Sequence, residues 1–68
     1  MVLSDLLVAL ANNTKLYITL EDKNGDALIT FNAVGYTSVE SDLGTRGVNK
    51  IKIETPNAVT VTLEDATP

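Results

Sequence analysis

Cysteine, histidine and tryptophan are all missing from this chain. Without cysteine there is neither a disulfide framework nor a thiolate metal site to reinforce the fold, and the redox compartment stays open. Without histidine as well, imidazole acid–base pairs, Ser/His and Cys/His nucleophile arrangements and His-based metal sites are all absent. Positive charge is scarce: 5 Lys and Arg stand against 9 Asp and Glu, a formal net charge of -4. That balance disfavours broad attachment to nucleic acid or anionic lipid, which takes clustered basic residues. Long apolar runs are also lacking. The longest covers residues 6–11, far short of the roughly 20 residues that span a bilayer, so no transmembrane helix and no membrane partner are expected. Ala9, Leu10 and Ala11 imitate a signal-peptide cleavage site, but no Lys or Arg precedes the run and Asp5 interrupts its approach. The chain therefore reads as intracellular, in the cytoplasm. Asn12, Asn13 and Thr14 form a formal glycosylation sequon, relevant only to a secretory protein.

What remains is 68 residues, 44% hydrophobic and 21% charged, the composition of one folded domain over residues 1–68 rather than a disordered segment. A chain this short buries only about 60% of the surface that it exposes when unfolded, so hydrophobic packing has little to spare. Val2, Leu3, Leu6, Leu7 and Leu10 follow the spacing of one helical face and predict a short helix over residues 4–11. Ser4 is its expected N-cap and Asp5 its first-turn acid. Asn12 and Asn13 suit its end, because Asn tolerates the left-handed conformation that often terminates a helix. About two turns cannot persist alone, so the leucine face must lie on something.

A hairpin over residues 15–34 supplies that surface. Leu16, Ile18 and Leu20 alternate with Tyr17, Thr19 and Glu21, and Ala27, Ile29, Phe31 and Ala33 with Leu28, Thr30 and Asn32. A three-residue loop would split the apolar residues between two faces. A two-residue turn at Asn24 and Gly25 instead pairs Leu20 with Ile29, Ile18 with Phe31 and Leu16 with Ala33, all on the helix-covered face. Asn-Gly is the favoured pair for a type I′ turn; a four-residue loop keeps the same parity. In a second hairpin, Ile51 and Ile53 alternate with Lys50, Lys52 and Glu54, and Val59, Val61 and Leu63 with Thr60, Thr62 and Glu64. A three-residue loop of Thr55, Pro56 and Asn57 pairs Ile53 with Val59 and Ile51 with Val61, facing inward. Residues 65–68 read as a frayed tail. The expected fold class is α+β: a short N-terminal helix packed on one face of an antiparallel sheet of about four strands, built from two β-hairpins. The other face would carry Tyr17, Thr19, Thr30, Asn32, Lys50, Lys52, Thr60 and Thr62.

Between the hairpins, residues 35–47 hold Gly35, Gly44 and Gly47 with little periodicity and read as the main loop of the protein. Thr37 or Ser38 would cap a single helical turn ending at Leu43. Asp22, Asn24 and Asp26 have the spacing that opens a calcium loop. However, that motif needs Gly sixth and Glu twelfth, where this chain has Ala27 and Ala33, so a turn is the reading and no cofactor or metal is expected. Gly44, Thr45, Arg46 and Gly47, in the run over residues 43–51, resemble the Gly-x-x-Gly segment of KH nucleic-acid-binding domains. That family sets the segment between two helices, whereas here Ile51, Lys52 and Ile53 follow at strand period.

The order helix, Asn/Thr turn, strand, EDKNGDAL hairpin, Gly-rich loop and VNKIKI strand resembles small orphan proteins of bacteriophages and prophages of Gram-positive bacteria. The resemblance implies a non-enzymatic accessory protein in the bacterial host cytoplasm that binds or inhibits a host-encoded protein. From the residues themselves the expectation is a non-catalytic protein-binding module presenting the 35–47 loop, an edge strand or the polar sheet face. Tyr36 and Arg46 are the candidate contacts, both types being enriched at interface hot spots, with Tyr17, Lys50 and Lys52 on the polar face. The alternative for the first two is structural: Tyr36 covers a core edge and Arg46 pairs with Asp42 or Glu40; Lys50 and Lys52 are then solvated outward positions that discourage edge-to-edge pairing. A homo-oligomer through strand edges or the helix face is the second expectation, since it would enlarge a small core. Nucleic-acid binding through Arg46, Lys50 and Lys52 is the third.

Overall fold

A computed structural model of the chain describes residues 1–64; residues 65–68, and with them the expected frayed tail, lie outside the described residues. The elements in order are α1 (Leu3–Leu10), β1 (Tyr17–Glu21), β2 (Ala27–Asn32), a 3-10 turn (Ala33–Gly35), α2 (Thr37–Leu43), β3 (Val48–Thr55) and β4 (Ala58–Leu63). The architecture is α+β, with both helices on one face of a four-stranded sheet of order β2-β1-β4-β3. Each hairpin is antiparallel. Between them β1 and β4 run parallel, so the sheet is mixed rather than antiparallel throughout. The cause is α2. The expected loop with a single turn is a helix of 7 residues, which carries the chain back over the sheet from one edge to the other. A connection of that kind leaves β3 parallel to β2 and makes the two inner strands parallel to each other.

Among the described residues the core is apolar: Leu3, Leu7, Leu16, Ile18, Leu20, Ala33, Val39, Val61 and Leu63, with Phe31, Tyr36, Leu43 and Val59 packed at its margin. Complete burial of a Leu or Ile side chain stabilises by about 1.5–3 kcal/mol, so these few residues carry most of the folding free energy. Helix α1 starts one residue earlier than expected, and Ser4 is not its cap; Val2 holds that position without a side-chain bond. The Ser4 hydroxyl instead donates to Glu40 Oε2 at 2.9 Å, tying α1 to α2. No non-glycine residue has positive φ among the described residues, so Asn13 ends α1 differently from the left-handed expectation. Its backbone N–H and its side-chain amide both donate to the Leu10 carbonyl, at 3.0 and 3.1 Å.

Both hairpins reach the expected register by an unexpected route. Ile18 pairs with Phe31 and Leu20 with Ile29, yet Glu21 pairs with Ala27. The turn is a three-residue loop, closed by Asp22 N–H to Asp26 O at 2.9 Å and Gly25 N–H to Asp22 O at 3.0 Å. Only Gly25, at φ 88, takes the positive region, whereas a type I′ turn would need it at Asn24 too. A bulge at Leu28 then restores the parity that the loop would have lost. In the second hairpin Thr55 pairs directly with Ala58, leaving a two-residue turn, and a bulge at Glu54 recovers Ile53 opposite Val59 and Ile51 opposite Val61.

Gly44 sits where α2 ends against its own last turn. A Cβ there would lie 2.5 Å from the Glu40 carbonyl oxygen, a clash with backbone that only a main-chain shift relieves. Gly44→Ala is expected to lower stability by about 1–3 kcal/mol in urea unfolding; an unchanged midpoint would contradict this packing.

Candidate functional site

The segment expected to be the free loop is fastened down at several points. Leu3 and Ser4, whose N–H groups open α1 and have no partner within it, donate to the carbonyls of Arg46 and Gly44, each at 2.8 Å. Gly47 bridges to Val2, Val48 N–H donates to Met1 O at 2.9 Å, and Glu64 N–H donates to Gly47 O at 2.9 Å. The Arg46 guanidinium reaches across to the end of β4, where Nε and an Nη both donate to the Glu64 carbonyl, at 3.1 and 2.8 Å. This is neither a free anchor nor the expected pair with Asp42 or Glu40. Tyr36 is half-buried against the core at the start of α2, the structural alternative for that residue.

Tyr17, Lys50 and Lys52 are brought to the polar face. Cross-strand pairing builds three rows there: Asn32, Tyr17, Ala58 and Thr55, then Thr30, Thr19, Thr60 and Lys52, then Ala27, Glu21, Thr62 and Lys50. Thr19 and Thr30 share a hydroxyl hydrogen bond of 3.0 Å. Glu54 accepts from Thr60 Oγ1 at 3.3 Å and stands 3.5 Å from Lys52 Nζ, an exposed ion pair of little energetic weight. The Asp22 carboxylate accepts from the N–H groups of Asn24 and Asp26 at 2.9 and 3.0 Å, the side-chain-to-backbone pattern of an Asx turn. Among the described residues, no group of three or more Asp or Glu could hold a metal ion, and no buried side-chain polar atom lacks a partner. No described helix is long and apolar enough to cross a membrane.

The opposite face leaves apolar side chains at its margins. One row runs Ile29, Leu20, Val61, Ile51 and the next Phe31, Ile18, Val59, Ile53. Of the inner members, Leu20, Val61 and Ile18 are fully buried and Val59 partly so, but Ile51 is 46% and Ile53 74% exposed. They were expected to face the core; they share its face but sit on an edge strand that two short helices do not cover. Ile29, expected under the helix, is 41% exposed for the same reason at the other edge. There, Leu28, Ile29, Val39 and Leu43 line an open groove of about 290 Å³ with Ser38 and Asp42.

Ile51 and Ile53 are the residues that reasoning from alternation missed. Lys50 and Lys52, expected to discourage edge-to-edge pairing, already mark this strand as an edge; the exposure of the isoleucines beside them is what alternation does not give. Comparison with family models, curated proteins and solved structures finds no match for the chain.

Removing the Arg46 fork should loosen the end of β4. Arg46→Ala is expected to cost about 1 kcal/mol and to speed amide exchange at Glu64, measured by NMR; unaltered exchange there would show that the contact holds nothing in place.

Proposed function

We propose that the chain is a non-catalytic protein-binding module that docks its partner along the outer edge of β3. The observation that carries this reading is the exposure of Ile51 and Ile53 on an edge strand. Of the three surfaces expected to meet a partner, the 35–47 segment spends the Gly44 and Arg46 carbonyls on α1, and the Gly47 carbonyl and the Arg46 guanidinium on Glu64. Among the described residues, the edge of β3 beyond Val48 combines backbone that no other strand pairs with and apolar side chains, the combination used when an extended segment adds a strand to a sheet. Lys50 and Lys52 on the adjoining polar face supply charged contacts at its rim, while Tyr17 stands on the same face two strands away, on β1.

The resemblance in layout to phage and prophage accessory proteins supports a host-encoded protein as that partner, met in the bacterial cytoplasm. Nucleic-acid docking through Arg46, Lys50 and Lys52 is the weaker reading, because the Arg46 guanidinium is engaged and the chain carries a net charge of -4.

Affinity capture from lysate tests the edge. An Ile51→Lys/Ile53→Lys variant should keep its stability within about 0.5 kcal/mol, as exposed positions generally do, and lose the partner that the wild type recovers. Tyr36→Ala should retain it. Identical recoveries from wild type and the double-lysine variant would remove the β3 edge from the function.

A further inference from the structure

We propose that the β3 edge pairs with the β3 edge of a second copy of this chain, antiparallel about a two-fold axis at Lys52, joining two sheets into one. This rests on the reading of that edge as a docking surface and sets a second copy there whenever the host-encoded partner is not bound.

The available stretch of edge is defined at both ends. Met1 and Val2 occupy the outer side of β3 at Gly47 and Val48, and the strand ends at Thr55 before the turn at Pro56. No strand among the described residues pairs with residues 49–55 on that side. Lys52 is the midpoint of this stretch, so a two-fold axis there uses all of it. Asn49 then meets Thr55 of the second copy, Lys50 meets Glu54, and Ile51 meets Ile53, each pair occurring twice.

Both faces match in this register. Ile51 and Ile53 continue the apolar rows of the helix-covered face into the second copy, and each gains a cross-strand apolar neighbour. On the polar face, where Thr60 and Lys52 already hold Glu54, two Lys50–Glu54 pairs of opposite charge form across the axis. Neighbouring registers of the same parity are poorer. Centring on Ile51 sets Lys50 against Lys52 twice and Ile53 against Asn49. Centring on Ile53 leaves Ile51 against Thr55 and draws Pro56, which has no N–H to donate, into the ladder. Odd registers place apolar residues opposite polar ones.

Two features oppose the pairing. Lys52 meets its own copy on the axis, and bulges at Asn49 and Glu54 interrupt β3; edge lysines and bulges are devices that discourage sheet extension. Here the Asn49 bulge stands at one end of the stretch and the Glu54 bulge one residue in from the other, both outside the four residues between them. Residues 50–53 keep an unbroken register with Thr62, Val61, Thr60 and Val59. The single like-charge contact makes the association modest and adjustable rather than absent.

Sedimentation equilibrium on the full chain, from roughly 1 µM to 1 mM, tests the proposal by charge exchange. Wild type should shift from monomer toward dimer across this range, and Lys52→Thr should tighten the dimer by removing the axial repulsion. Lys50→Glu and Glu54→Lys should each weaken it about tenfold, two attractive pairs having become repulsive. An equimolar mixture of these two variants, and the double variant Lys50→Glu/Glu54→Lys, should both recover dimer, a rescue that a misfolded protein cannot mimic. Wild type and Lys52→Thr both monomeric throughout, or a dimer indifferent to the charge exchange, would overturn the proposal. A monomer whose partner capture still depends on Ile51 and Ile53 would reject the second copy while keeping the edge as a docking surface; a monomer without that dependence would reject both.

Discussion

The two N–H groups at the start of α1 hold much of the rest in place. Leu3 and Ser4 expose donors that no side chain caps, and the carbonyls of Arg46 and Gly44 accept them at 2.8 Å each. Burying a helix start without partners would cost about 1–3 kcal/mol for each orphaned donor, a large fraction of the stability available to a small domain. Meeting that demand brings the end of α2 to α1, sets the position from which β3 departs and, through Arg46 and Gly47, draws in the end of β4. A Gly-x-x-Gly run that in isolation suggests a cradle for a ligand is here spent on capping a helix.

Two helices of 8 and 7 residues cannot roof four strands. Burial is therefore graded across each row: complete at Ile18, Leu20 and Val61 on the inner strands, partial at Phe31 and Val59, and weak at Ile29, Ile51 and Ile53 on the outer ones. A small domain has too little chain to cover all of its apolar surface. The exposed ends of the rows are thus a consequence of size, and they are also where a further strand adds most.

The two hairpins show what is specified most strongly. In the first, a three-residue loop meets a bulge at Leu28; in the second, a two-residue turn meets a bulge at Glu54. In each the turn departs from expectation by one residue and a bulge restores the pairing. Facing the apolar residues together involves several burials of about 1.5–3 kcal/mol each, whereas one irregular residue on an outer strand disturbs the ladder at a single point. Parity outweighs loop length.

The α+β class, the two hairpins, their cross-strand partners and the polar face of Tyr17, Lys50 and Lys52 were determined by the sequence alone, because alternation and helical spacing are local patterns that burial on one face enforces. The tertiary structure decided the rest. The parallel centre depended on whether residues 37–43 complete a helix, which Val39 achieves only by packing into a core assembled from distant segments. Arg46 found its acceptor at Glu64, too far along the chain for residue type to reveal. Ile51 and Ile53 were assigned to the correct face but not to their exposure, since alternation states which way a side chain points and not how far a neighbouring helix extends to cover it.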